Sequence, residues 1–205
     1  ILKSEVDTRN DLRKECRMAR LLISYSTGTG TTETFARAVA EGAAGVEGVE
    51  VMLRRAAETV PEDVARADGI ILGAPVHMGT IDWQMKKLID GVFGLMWIQD
   101  ALVGRVGAAF VSGSGIGNAG SGAELALLAL LANMAELGMV IVSLPKNTPG
   151  YMTNGMHWGA VAITGEGADH RPLGVPDAQL TVARHHGMNV ARVTAALAGK
   201  RLLDP

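Results

Sequence analysis

The chain has 205 residues, 48% of them apolar, with 19 Lys and Arg against 21 Asp and Glu for a net charge of −2. That length and apolar content suit one domain with a sizeable core, and the lack of a basic surplus argues against a nucleic-acid partner and against attachment to an acidic membrane surface. Cys16 is the single cysteine, which excludes an internal disulfide, offers no zinc-type spacing, and leads us to expect a reducing cytoplasm.

The first 18 residues, ILKSEVDTRNDLRKECRM, are strongly charged and lack the apolar centre of a signal peptide. They read as a helical extension ahead of a domain over residues 19–200. Apolar runs then alternate with helical patterns. RLLISY (20–25), GIILGA (69–74), VGAAFV (106–111) and MVIVSL (139–144) are unbroken, as strands covered on both faces of a parallel sheet read. VEVMLR (49–54) alternates more and suits a strand nearer the edge. Between them, Phe35, Ala38, Val39, Gly42, Ala43 and Val46 follow the spacing of one helix face, with Thr31 or Thr32 as its cap and Glu33 in its first turn. DWQMKKLIDGVF (82–93), SGAELALLALLANMAEL (121–137) and DAQLTVARHHGMNVARVTAALAG (177–199) read as three more helices. The apolar stretch LALLALLANM is too short to span a bilayer and reads as a buried helix. Strand and helix in alternation predict an α/β, doubly wound sheet of five parallel strands with helices on both faces.

Ligands of such sheets bind beyond the carboxyl ends of the strands. TGTGTT (27–32) lies at the end of the first strand and opens the first helix. Its glycines permit tight turns, its amides can form a nest for an anion, and the helix start adds partial positive charge. Thr27, Thr29, Thr31 and Thr32 supply hydroxyls, and no Lys or Arg lies between Arg20 and Arg37. A triphosphate loop would need Lys after the second glycine, where Thr31 stands; a dinucleotide fingerprint would need a third glycine, where Glu33 stands. A flavin monophosphate cradle of the form [ST]-x-T-G-x-T is matched at Thr27, Thr29, Gly30 and Thr32. A plain helix cap with a flexible turn is the bland alternative.

Two more loops leave the same rim. GAPVHMGTIDWQMKKLID (73–90) places Pro75, Val76, His77, Met78 and Gly79 after the third strand, where Pro75 and Gly79 bracket a tight loop. SGSGIGNAGSG (112–122) places Ser112, Gly113, Ser114, Gly115, Ile116 and Gly117 after the fourth, nearly free of large side chains. Such a loop lets backbone approach a planar ligand closely.

Across residues 20 to 198 the sequence resembles the flavodoxin-like family, and within it the WrbA-type NAD(P)H:quinone oxidoreductases. ETFARAVAEGA (33–43), GAPVHMG with QMKKLID (73–90), GMVIV (138–142) and GAVAITGEGADHRP with ARHHGMNVARV (159–193) carry the resemblance. It implies strand order 2-1-3-4-5 and an FMN phosphate in the 27–32 loop. It implies an isoalloxazine ring between the 75–79 and 112–120 loops, and a fifth strand split by the insertion at 145–164. It also implies electrons passing from NAD(P)H to a quinone-like acceptor, and a homotetramer or homodimer whose neighbouring subunits help close the sites. His77 is the titratable group expected at the ring mouth, donating to a quinone oxygen or simply facing solvent. Trp97 resembles the family's aromatic wall over the substrate; a core tryptophan is the other reading. The chain departs from the family at His77 and Met78, where an arginine and an aromatic are common, and at Glu136 and Leu137, where a histidine pair is usual. It also lacks the long insertion before the third strand.

Other residues carry less. His185 and His186 are expected on the surface or at an interface, with no metal. Asp169, His170 and Arg171 match a family turn read as shaping a subunit contact. Met78, Met85, Met96, Met134 and Met139 read as core filler, and Glu47, Glu50, Glu58, Glu62 and Asp63 as a solvated face. A flavodoxin-type electron carrier without NAD(P)H-dependent activity is the rival function, followed by a scaffold that has lost the flavin.

Overall fold

The computed structural model describes residues 17–115, 122–169, 171–200 and 202–203. The expected helix over 1–18 therefore lies, apart from Arg17 and Met18, outside the described residues, as do Ile116 and Gly117.

Four long strands form the sheet: β1 (Ala19–Tyr25), β2 (Val49–Arg55), β3 (Gly69–His77) and β5 (Val106–Gly113). They pair in parallel in the order β2-β1-β3-β5. The next position is shared. Short β6 (Val140–Ile141) pairs with Val106 and Gly107 at the start of β5, and β8 (Gly159–Ile163) pairs with Phe110 to Gly113 at its end. The fifth strand is thus split, and the order is the 2-1-3-4-5 of the flavodoxin-like fold. The strand expected over 139–144 shrinks to two residues because the chain leaves the sheet there. It returns through α6 (Tyr151–Asn154) and β7 (Gly155–Met156), which pairs antiparallel with β8. A second antiparallel addition, β4 (Thr80–Ile81), folds back on β3. The sheet is therefore mixed at its margins rather than purely parallel.

Unbroken apolar runs bury side chains on both faces. On one face Leu22, Ile70, Leu72 and Val111 pack with Met85, Phe93, Leu127 and Leu130; on the other Leu21, Ile23, Ile71 and Phe110 pack with Phe35, Val39, Val182 and Val190. The first face is covered by α2 (Pro61–Arg66), by α3 (Trp83–Leu88) running through a widened turn at Ile89–Phe93 into α4 (Gly94–Ile98), and by α5 (Ala123–Glu136). The second is covered by α1 (Thr31–Ala44) and α7 (Asp177–Leu197). Strand β2 stands at the edge, as its weaker apolar pattern implies. Helix α2 escapes the periodicity because it is six residues long, with Pro61 at its first position and Val64 its one buried side chain. No described helix is long and apolar enough to cross a membrane.

The methionines divide: Met85, Met96, Met134 and Met139 are core, whereas Met78 is fully exposed. Asp63 is not merely solvated. It pairs with Arg54 and accepts from the Val60 N–H at the head of α2.

His186 corrects its surface placement, being wholly buried. Its Nε2–H donates to the Ala109 carbonyl at 3.0 Å, and its Nδ1 is buried with no partner. A second proton would have nothing to bond to, so burial lowers its pKa from 6.5 to about 4. The unfolded chain then binds more protons between those values, and stability must rise with pH across that window. We expect the chain to lose up to about 3 kcal/mol on going from neutral pH toward pH ~4, from this group alone. Urea unfolding from neutral to mildly acidic pH checks it: His186→Leu should flatten the slope, and an unchanged slope in that variant would exclude His186 as its source.

Candidate functional site

The carboxyl ends of β1, β3, β5 and β8 bring their loops to one rim. Between them lies a cavity of about 190 Å³ lined by Gly28, Thr29, Thr31, Thr32, Pro75, Val76, His77, Ser112, Gly113, Ser114, Thr164, Glu166 and Pro172. Three separate stretches of expected site residues therefore meet in one place. A second, open groove of about 580 Å³ shares Thr29, Thr31 and Pro172 with this cavity and is lined also by Gly30, Thr34, Arg171, Gly174 and Val175.

The first loop is built as a cradle. Gly30 is the N-cap of α1 at φ 93°, and no side chain caps this helix start. Neither Thr31 nor Thr32 caps it, as the sequence suggested; both lie inside the helix. The Gly30 N–H donates to Thr27 Oγ1 at 3.0 Å, and the Thr34 hydroxyl donates to the Gly30 carbonyl at 3.1 Å. The N–H groups of Thr31, Thr32 and Glu33 belong to the first turn and have no intrahelical acceptor. Added side-chain atoms show how open the loop is. A Cβ at Gly30 would meet nothing within 4 Å, and one at Gly28 only His77 Cε1 at 3.9 Å.

The threonines divide their work. Thr32 is buried, and its hydroxyl shares a hydrogen bond of 2.8 Å with Ser112 Oγ, which ties the start of α1 to the end of β5. Thr27 is occupied by Gly30. Thr29 and Thr31, 3.4 Å apart at their hydroxyls, are left to face a ligand. Just before the loop, Ser26 donates to Asp82 Oδ1 at 2.5 Å. Asp82 is buried, accepts from the N–H groups of Gln84 and Met85, and so caps α3 while anchoring the loop.

The second loop differs from the expected open turn. Pro75 still belongs to β3, opposite Ser112 and beyond the last residue of β1 on its other side, so its missing N–H breaks no ladder. The strand runs on to His77 and reverses at once through Met78 and Gly79, at φ 49° and 86°, to pair His77 with Thr80. Positive φ at both central residues defines a type I′ hairpin turn, where Asn-Gly is the usual choice and methionine is strained. The turn backbone rests against the start of α5: a Cβ at Gly122 would lie 2.2 Å from the Gly79 carbonyl oxygen.

Charge at the rim is arranged to leave the cradle clear. Glu33, in the first turn of α1, is held by Arg37 Nη2 and Arg55 Nη2, both at 2.6 Å. These two guanidiniums, Arg37 first, keep its carboxyl below the usual carboxylate range. Among the described residues no group of three His, Cys, Asp or Glu side chains is placed to hold a metal ion.

Trp97 is not brought to this cavity within its own chain. It is 55% exposed, and it lies 14 residues beyond the start of α3, about 21 Å along a helical path that leads away from the rim. It is not a core residue either. Thr164, Glu166, Pro172 and Arg171 are the site residues that sequence reasoning missed. The signal was present, because TGEG (164–167) follows the last strand of the sheet and must leave at the same rim.

A flavodoxin-domain family model matches residues 22–93. The chain is 34% identical to an NAD(P)H dehydrogenase (quinone) of Paraburkholderia phymatum over 89% of this chain and all of that protein. Its fold is similar to that of a flavodoxin, WrbA-like protein from Agrobacterium tumefaciens at TM-score 0.66 and 23% identity, over 87% of this chain and 99% of that one. Flavodoxin 1 of Bacillus cereus is similar at TM-score 0.60 and 18% identity, over 85% of this chain and 98% of that one. Taken with the sheet order and the split fifth strand, these likenesses show that the chain belongs to the flavodoxin-like family, together with that NAD(P)H dehydrogenase (quinone) of Paraburkholderia.

Proposed function

We propose that the chain is an FMN-dependent oxidoreductase taking electrons from NAD(P)H to a quinone-like acceptor. The observation that carries this is the convergence of the loops after β1, β3 and β5 on one cavity whose donors are amides and hydroxyls. Such donors suit a phosphate monoester and a flat, hydrogen-bonding ring, and hydrogen bonds to a charged group contribute roughly 1.5–3 kcal/mol each. The 34% identical relative carries the quinone dehydrogenase name over its whole length.

In this reading the amides of Thr31, Thr32 and Glu33, with the hydroxyls of Thr29 and Thr31, hold the phosphate. The backbone from Pro75 to Gly79 and from Ser112 to Gly117 orients the ring; Ile116 and Gly117 are carried here from the sequence resemblance alone. When bound, FMN supplies two-electron chemistry between NAD(P)H and the quinone. His77 stands exposed at the mouth, where its ring can donate a hydrogen bond or proton to an acceptor oxygen. Trp97 can serve the site only across a contact between copies, so a homodimer or homotetramer belongs to the same proposal, as does a reducing cytoplasm.

The test is to load the purified protein with FMN and add NADPH or NADH with a benzoquinone. Quinone-dependent oxidation of the nicotinamide at many turnovers per flavin is expected. A protein that binds FMN and oxidises neither nucleotide is an electron carrier instead, and one that retains no flavin absorption once unbound FMN is removed by gel filtration overturns the assignment.

A further inference from the structure

The phosphate cradle has no cation of its own. Arg37 and Arg55 are both committed to Glu33. Of the described residues lining the cavity and the adjoining groove, Arg171 is the one Lys or Arg. It shares the groove with Thr29, Gly30, Thr31 and Thr34 of the cradle and the first turn of α1.

The backbone that presents Arg171 is fastened while its side chain is not. Glu166 and Pro172 form an antiparallel bridge. The Gly167 N–H donates to the Arg171 carbonyl at 2.9 Å, and the Arg171 N–H donates to Asp169 Oδ1 at 3.2 Å. Pro172 lines both the cavity and the groove, so the turn is seated on the cradle. The Arg171 side chain is 84% exposed. Its ion pair is a loose one, 3.7 Å to an Asp169 carboxylate that is 67% exposed, and such a pair holds a side chain weakly. A cation on an anchored turn, with a loosely held side chain beside open amides and hydroxyls, is placed to swing onto an anion.

Resting on the FMN reading above, we propose that Arg171 closes over the cradle as the cationic ligand of the flavin's phosphate monoester. The hydroxyls and amides fix the phosphate's position; Arg171 adds charge and slows its escape. The turn read from the sequence as shaping a subunit contact thereby gains a role toward the ligand. Because the interaction is with the phosphate, it discriminates FMN from riboflavin, which has the same ring and side chain without that group.

The test is flavin titration by fluorescence quenching, with wild type, Arg171→Met and Arg171→Lys, using FMN and riboflavin at low and high salt. Arg171→Met should weaken FMN roughly ten- to hundredfold, the range of one charge-assisted hydrogen bond. Riboflavin affinity should be unchanged, Arg171→Lys should fall between, and the salt dependence of FMN binding should shrink in the Met variant. FMN affinity within twofold of wild type, or an equal loss for riboflavin, overturns the role of Arg171 while leaving the flavin assignment intact. A wild-type protein that binds neither flavin overturns both.

Discussion

Gly187→Val is expected to abolish the cooperative thermal transition of the purified protein, and Gly187→Ala to lower its midpoint by roughly 6–12 °C, corresponding to about 3 kcal/mol in a domain of this size. The cause is the approach of α7 to α1. A Cβ at Gly187 would lie 1.9 Å from the Val39 carbonyl oxygen, and a Cβ at Gly42 would lie 1.9 Å from the Arg184 carbonyl oxygen. Each helix thus presents a glycine to the backbone of the other. Both obstructing atoms are main chain, so no rotamer change relieves the overlap; the helices must separate. Separation would open the face where Val39, Val182 and Val190 meet Ile23 and Phe110. It would also tilt α1, whose first turn is the cradle. Gly91→Ala is the control. Its Cβ meets nothing within 4 Å and it also lies in a helical segment, so its midpoint should hold or rise slightly. Scanning calorimetry of the three variants decides, and a Gly187→Ala midpoint within 2 °C of wild type, a shift worth about 1 kcal/mol or less, would mean that the helices part freely.

That close crossing was invisible in the sequence. Gly42 and Gly187 sit on apolar helix faces at ordinary spacing, and nothing local distinguishes them from Gly91. Likewise His186 follows His185 in a helix with charged neighbours, and only the sheet beneath it shows that it is buried. What local pattern did disclose was the sheet. Runs such as GIILGA are apolar on every residue because both faces are covered, and that periodicity is a property of the strand itself. The rim was legible for a related reason: a loop's exit point follows from its strand's direction, so TGTGTT, APVHMG and SGSG had to assemble once the strands were parallel. The division of labour among the threonines was not legible. Thr32 and Thr29 satisfy the same motif, yet one hydroxyl is committed to Ser112, 80 positions away in the chain, and the other is exposed. Arg171 was hidden in the same way, since its closeness to the cradle depends on a turn 140 residues from Thr31.

Gly30→Val is expected to cut FMN affinity at least a hundredfold while lowering the melting temperature by roughly 2–12 °C and leaving the transition cooperative. An added Cβ would strike no neighbour. The obstacle is conformational. Gly30 lies at φ 93°, ψ −12°, a region in which a β-branched residue is a clear outlier, with a penalty of roughly 1–3 kcal/mol. A valine there would relax to negative φ, rotating the peptide that joins it to Thr31 and withdrawing that N–H from the cradle. The Gly30 N–H would leave Thr27, and the Gly30 carbonyl would leave the Thr34 hydroxyl. The first turn of α1 would then offer fewer amides to an anion, each contributing roughly 1.5–3 kcal/mol, so losing one or two suffices for the expected fall. The cooperative fold is kept because the loop is at the rim and the core does not depend on it. Gly30→Ala should lie between, since alanine tolerates the left-handed region better than valine does. Fluorescence titration with FMN, paired with a circular dichroism melt of each variant, separates the two effects. Retention of near-wild-type affinity by the valine variant would show that the phosphate binds somewhere other than the start of α1.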